Sequence, residues 1–319
     1  MADTAIRTAL SLQPDLPEVH LAYALHFYSA YRDYDRARVQ LAIARRGLPN
    51  DVKAIWLAAL IDRRQGNFEK AIWEFNEAIT RDPANRASIV ELAITLVCVR
   101  QLDAAGQAFN RAISLAPDQP ELQVQKALYV TFWKTGNNTA IKSAIAAFSA
   151  SMPNDRDVLC YRLVCALQDR DWQLAKERLE RMKSGHDNGF FSYATHLIPV
   201  SSYSILLARL QGEPYVANAS FAETREELNQ AVQMSPEDAK LLSNLAVVDA
   251  LLGRKQDAID EAKHAIEMRP TSKDALAGPG IVANLALVYA WTNELDLAFE
   301  TLRPLSTNGV RCLLRSIES

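Results

Sequence analysis

Small and apolar side chains in this chain return at i, i+4 and i+7, as in Ala37, Leu41 and Ala44 and again in Ala71, Phe75 and Ala78. That spacing marks one face of an α-helix. The face itself recurs every 34 residues: Ala37, Ala71 and Ala105; Ala44, Ala78 and Ala112; Pro49, Pro83 and Pro117. Blocks 18–51, 52–85 and 86–119 therefore align without a gap, and block 239–272 repeats them with Ala258, Ala265 and Pro270. A fixed period of this length predicts a stack of supersecondary units.

Each block predicts two helices of about a dozen residues joined by a short turn. Ala58, Ala59 and Ala71 are expected where the two helices cross, since a larger side chain would force the backbones apart. Tyr34, Phe68 and Leu102 are expected to open the second helix, and Leu41, Phe75 and Phe109 to follow on the same face. The proline after each second helix cannot continue it and turns the chain into the next block. Gly66, Gly136 and Gly253 mark turns within hairpins, where a left-handed residue is often needed.

The remaining segments fit the same plan less tightly. Residues 122–155 read as a fourth hairpin, with its turn at 135–138 and Pro153 closing it. Residues 156–183 read as a fifth, with Trp172 opening its second helix and Ala175 at the crossing. The segment 184–201 breaks the pattern and is expected to be an irregular crossover or an extended first helix. Residues 202–238 are a sixth hairpin whose turn is lengthened by 212–221. Residues 239–272 are the seventh, and 279–305 the eighth after an insertion at 275–280. There GPG (278–280) reads as a loop breaker. Residues 2–14, with Ala2, Ile6, Ala9 and Pro14, match a second helix without its first. They predict either a chain cut from a longer protein or a simple capping helix. After 306–309, VRCLLRSIES reads as a last helix or a stub.

These alanine, aromatic, glycine and proline positions together resemble the tetratricopeptide repeat family. The resemblance implies an all-α, right-handed superhelical solenoid of antiparallel hairpins over 1–319, and a role in binding proteins. YRDYDRA (31–37), RRQGNFEKAIWEFNEAITRDPAN (63–85) and IEMRPTSKDALAGPGIVANLALVYAWTNELDLAFETL (266–302) are further similar to the C-terminal repeat regions of bacterial multidomain signalling proteins. Those carry Ser/Thr kinase, nucleotide cyclase or winged-helix regulator domains, and the likeness implies a cytoplasmic regulator. Members that clamp a chaperone's terminal carboxylate use Lys and Asn at set positions. His26 and Leu60 stand where the first such Asn is expected, so that clamp is not predicted.

Composition narrows the function further. With 49% hydrophobic and 23% charged residues the chain is long and apolar enough to fold, and sparse Gly (11) and Pro (13) favour helices. A net charge of -3 without a basic run argues against nucleic acid as partner. No run of eighteen apolar residues is present to span a membrane. Asp3 and Arg7 interrupt the start where a secretion signal needs an apolar core. Cys98, Cys160, Cys165 and Cys312 form no C-x-x-C pair, and Cys98 and Cys165 read as small core residues in a reducing compartment. His20 and His26 are poorly spaced for a metal, and His186 reads as a loop residue. No catalytic group, metal site or cofactor is predicted.

A ligand is expected on the wall lined by the first helices. The candidates are Lys53, Trp56, Leu60, Arg63 and Arg64, then Val90, Ile94, Val97 and Cys98, then Lys126, Val130, Trp133 and Lys134. Arginines that fork onto carboxylates beside indoles suit an acidic and hydrophobic peptide. The alternatives are self-association through Phe190, Phe191, Tyr193, Leu197 and Ile198 or through the last hairpin, giving a homodimer, and an unusual enzyme on a helical-repeat scaffold.

Overall fold

Where two helices cross at alanine, their backbones approach closely and the pair buries a continuous apolar seam. Ala37, Ala44, Ala71, Ala78, Ala105, Ala112, Ala258 and Ala265 are all fully buried, as expected from their spacing. Phe75 and Phe109 are buried with them, and Leu41 nearly so. The computed structural model describes residues 2–151, 156–184, 190–193, 196–199, 203–205, 207–208, 211–212 and 214–307. It is an all-α helical-repeat solenoid in class and divides into two compact units, Met1–Leu122 and Gln123–Ser319.

The first unit holds α1 (Ala2–Leu12), α2 (Pro17–His26), α3 (Tyr34–Gly47), α4 (Val52–Arg64), α5 (Phe68–Arg81), α6 (Arg86–Cys98) and α7 (Leu102–Leu115). Consecutive helices pack side by side from α1 to α7, and α4 also touches α6, so first helices of neighbouring repeats adjoin. Tyr34, Phe68 and Leu102 open second helices as the pattern predicts. Asp51 and Asn85, one repeat apart, cap α4 and α6 by accepting from Ala54 N at 2.8 Å and Ser88 N at 3.0 Å. Such caps contribute about 1 kcal/mol each.

The turn inside each hairpin is one motif used repeatedly. A left-handed residue stands at Arg32, Gly66 and Arg100 in the first unit, and at Gly136, Arg170, Gly253 and Asn293 in the second. The next amide donates back across the helix end, from Asn67 N to the Asp62 carbonyl at 2.8 Å and from Gln101 N to the Leu96 carbonyl at 2.9 Å. This closure satisfies carbonyls that the helix leaves open. In the first hairpin the same bond runs from Asp33 N to the Phe27 carbonyl, one residue further back. A π-helical turn at Phe27–Tyr31 absorbs that extra residue.

The second unit begins in α8 (Glu121–Lys126), which runs through a π-helical turn at Ala127–Thr131 into α9 (Phe132–Thr135). There follow α10 (Thr139–Ser151), α11 (Arg156–Gln168), α12 (Trp172–Ser184), α13 (Pro214–Met234), α14 (Ala239–Leu251), α15 (Lys255–Met268), α16 (Gly278–Trp291) and α17 (Leu295–Thr307). Trp172 opens α12 and Ala175 is fully buried at its crossing. Pro153 and His186 lie outside the described residues.

Two expectations are corrected here, and a third is made specific. Within 184–201 the described residues 190–193 and 196–199 are extended rather than helical. They contain an antiparallel pair, β1 (Phe190–Tyr193) and β2 (His196–Pro199), in register Phe191 with Ile198 and Ser192 with Leu197. Aromatic and β-branched residues ending at a proline favour a short strand over a helix. Residues 212–221 do not form a long turn, because α13 starts at Pro214, a residue suited to a first helical turn. GPG is not a loop breaker but the buried first turn of α16. Asp274 leads into it by accepting from Leu276 N at 3.1 Å and Ala277 N at 2.9 Å.

The turn geometry makes opposite predictions for one backbone position in adjacent repeats. Gly66→Ala, at φ 83°, should lower stability by about 1–2 kcal/mol. Arg100→Gly, at φ 63°, should raise it by about 0.5 kcal/mol, because relief of strain slightly exceeds the added freedom of the unfolded chain. Urea unfolding midpoints check both, and a loss in Arg100→Gly would contradict the strain argument. A Cβ on Gly278 would lie 2.6 Å from the Thr271 Cα, so Gly278→Ala should cost about 1–3 kcal/mol in the same assay.

Candidate functional site

In the first unit the first helices α2, α4 and α6 form a wall. The Arg64 Nε donates to the Tyr28 hydroxyl at 3.4 Å, tying α4 to the turn that ends α2. The Arg63 Nη2 pairs with Glu91 Oε2 at 2.6 Å, tying α4 to α6. Lys53 is exposed, and Trp56, Arg64, Val90 and Ile94 are half-buried. The Trp56 Nε1 is itself buried and has no hydrogen-bond partner among the described residues. His26 is half-buried and stands edge-on to Tyr31 at 5.2 Å between ring centroids.

Part of the expected wall is corrected by burial. Arg63 is only 4% exposed and is committed to Glu91, with further contacts to the Glu91 carbonyl and Thr95 Oγ1 at 3.4 Å each. Leu60, Val97 and Cys98 are buried in the hairpin core. The reason is helical phase: on a helix packed on several sides, little more than one narrow stripe can face outward. In the second unit Lys126 and Trp133 are half-buried, Lys134 is exposed and Val130 is buried. The side chains of Phe190, Phe191, Tyr193, Leu197 and Ile198 lie outside the described residues.

The sequence reading missed the most charged feature, an ion network in the core of the first unit. Asp62 is fully buried near the end of α4. Its carboxylate accepts from Arg38 Nη2 of α3 at 2.9 Å and from Asn67 Nδ2 at 2.9 Å, and pairs with Lys70 Nζ of α5 at 2.9 Å. Gln65 accepts from Arg38 Nε at 3.2 Å and donates to Asp35 Oδ1 at 3.0 Å. Burial pushes the Asp62 carboxyl up, but bonds from Arg38, Lys70 and Asn67 outweigh it and hold the group below its ordinary range. Glu74 on α5 is 2% exposed and meets Arg45 only at 3.7 Å. Burial, and then the neighbouring Asp62 charge, push its carboxyl up to about 7.

The second unit contains the same device, each member 187 positions later: Arg225 for Arg38, Asp249 for Asp62 and Glu261 for Glu74. Arg225 forks onto the fully buried Asp249, Nε to Oδ1 at 2.5 Å and Nη2 to Oδ2 at 3.1 Å, with Arg254 at 3.6 Å. Burial, then Asp249, push the Glu261 carboxyl up to about 7. In both units an arginine of one second helix is tied to the aspartate of the next first helix, so the network staples neighbouring repeats. The recurrence of Arg, Asp and Glu at one offset was visible in the sequence, but on charge-rich helices such as 34–47 and 255–268 nothing local singles these three out.

Cys98, Cys160 and Cys165 are buried, and burial pushes the Cys165 thiol up to about 11, away from the reactive thiolate. A shallow recess of about 620 Å³ is lined by Gly66, Asn67, Phe68, Glu69, Lys70 and Val99, none of them part of the wall. No described helix is long and apolar enough to cross a membrane.

The family described as Tetratricopeptide repeat matches residues 28–86 and 210–273, the two stretches that carry the ion networks. No curated protein matches the sequence. Among solved structures, a tetratricopeptide repeat protein from Parabacteroides merdae is 14% identical with a TM-score of 0.56, covering 85% of this chain and 98% of its own. Yeast Tom70 is also 14% identical, with a TM-score of 0.59, covering 99% of this chain and 61% of its own. These likenesses establish the fold.

Glu74 generates a pH prediction. Its folded value of about 7 lies above the ordinary 4.5, so its contribution is fully present below pH 4.5 and is lost as pH rises through 7. The wild-type chain should therefore lose stability over that window relative to Glu74→Gln, by roughly 2–3 kcal/mol. Urea midpoints at pH 5 and pH 8 test this, and parallel pH profiles for the two proteins would refute it.

Proposed function

We propose that this chain is a protein-interaction scaffold that takes an acidic and hydrophobic peptide on the first-helix wall of its first unit. One observation carries the reading: Lys53, Trp56, Arg64, Val90 and Ile94 keep surface on adjoining helices whose other faces are buried. A stacked array of hairpins presents such a wall as an extended binding surface. The indole supplies apolar area, and Lys53 and Arg64 supply positive charge for carboxylates. Lys126, Trp133 and Lys134 offer the same chemistry in the second unit and are assigned to the same ligand class. The similarity of 63–85 and 266–302 to repeat regions of bacterial signalling proteins supports a place in a larger cytoplasmic regulator.

The test is selection from a displayed library of random peptides on the purified chain. Enriched peptides should combine Asp or Glu with large apolar residues, and their binding should weaken with salt. The double variant Trp56→Ala, Arg64→Glu should lose at least about tenfold in affinity, or about 1.4 kcal/mol. Undiminished binding by a folded double variant would remove this wall as the site.

A further inference from the structure

Matching places in the hairpins can be counted from the left-handed residue of each turn. Eight residues before it stand Ala58, Leu92, Leu128, Leu245 and Leu285, all apolar and all buried. In the hairpin of α11 and α12 the left-handed residue is Arg170, and the same place holds Arg162. Four residues before the turn residue stand the buried acids Asp62 and Asp249, and eight after it stand Glu74 and Glu261. In the hairpin of α11 and α12 those two places hold Ala166 and Arg178. This hairpin thus inverts the charge of the Asp62 and Asp249 networks. Both carboxylates are lost, and a core place gains a guanidinium.

Arg162 is half-buried on α11, which packs on α12. It makes no hydrogen bond or ion pair among the described residues. Burial, then the charges of Arg178 and Arg181, lower its guanidinium, and no described carboxylate acts against them. Arg178 and Arg181 are neighbours one turn apart on α12. Arg178 meets Glu177, itself largely exposed, at 3.5 Å. A charge drawn out of water without a counter-charge is costly, and crowding like charges adds to the cost. An apolar residue at 162, as in the other hairpins, would avoid both.

We infer that Arg162, Arg178 and Arg181 form a binding site for a phosphate group, carried as a monoester or free. A carboxylate has two oxygens and a single charge, enough for one guanidinium fork. A phosphate monoester carries about −1.5 to −2 charges at neutral pH and three acceptor oxygens, which suits several guanidinium groups at once. The site shares no residue with the peptide wall and does not rest on that reading.

Isothermal titration calorimetry of the full chain at constant ionic strength tests this, with inorganic phosphate, capped phosphoserine and acetate as separate probes. Phosphate should bind at one site per chain, at least about tenfold more tightly than acetate. Tighter binding of phosphoserine would give the site to a phosphorylated side chain, and equal or weaker binding to free phosphate; either supports it. In Arg162→Leu phosphate affinity should fall at least about tenfold. That variant should resist urea at least as well as the wild type, because Leu stands at the matching place in four other hairpins. Arg178→Gln should weaken binding in the same way, whereas Arg170→Gln, an exposed arginine outside the cluster, should not. Absence of phosphate binding up to about 10 mM would overturn the inference. So would equal affinity for acetate, or phosphate binding undiminished in Arg162→Leu, which would place the anion elsewhere.

Discussion

The close crossing of two helices at alanine is the constraint on which the rest of this structure depends. Ala71 and Ala78 are fully buried against α4, and a side chain with even one more branch there would push the pair apart. That crossing brings Phe75 into the seam and sets the phase of α4, which in turn decides which of its residues look outward. Because the crossing recurs at Ala37, Ala105 and Ala258, the same phase is imposed on successive repeats. The turns follow from it: the chain must reverse within a few residues, and a left-handed position does so whether it is filled by Gly66 or, at some strain, by Arg100.

Charge adds specificity between repeats. A buried aspartate is tolerable only when its charge is met, and Asp62 and Asp249 are paired with arginines from the preceding second helix. The Asp62 network links three helices, α3, α4 and α5, and Asp249 joins α13 to α14. The glutamates nearby, Glu74 and Glu261, are left with poor partners, and burial, then the charge of the neighbouring aspartate, raises their carboxyls. Stability and charge state are therefore coupled in two places of the chain by one arrangement.

The same packing leaves surface where no neighbour demands it. In the first unit the outward stripe of α4 and α6 keeps Trp56, Arg64, Val90 and Ile94 partly open, while Arg63, one residue from Arg64, turns into the core. One step along a helix rotates a side chain by about 100°, which is enough to convert a surface residue into a core one. At the end of the second unit α17 is the reverse case, with Phe299 exposed although the matching Ile259 of α15 packs into the apolar core.

The period of 34, the helix pairs, the alanine crossings and the positions that open second helices were all legible in the sequence, because each is set by local spacing and side-chain size. The left-handed turn was legible at Gly66, Gly136 and Gly253 but not at Arg32, Arg100 and Arg170, where the fold overrides residue preference. Helical phase alone also suggested surface for Lys53, Trp56 and Arg64, which are exposed or half-buried. What only the tertiary structure decided was long-range. The burial of Arg63 depends on Glu91, 28 residues away, and the role of Asp62 on Arg38, 24 residues away. The strands at 190–199 and the helical GPG likewise reflect neighbours or caps that a local pattern does not encode. Hydrophobic periodicity is a property of one helix at a time, whereas ion pairing and burial belong to the contacts between helices, and those exist only once the repeats have stacked.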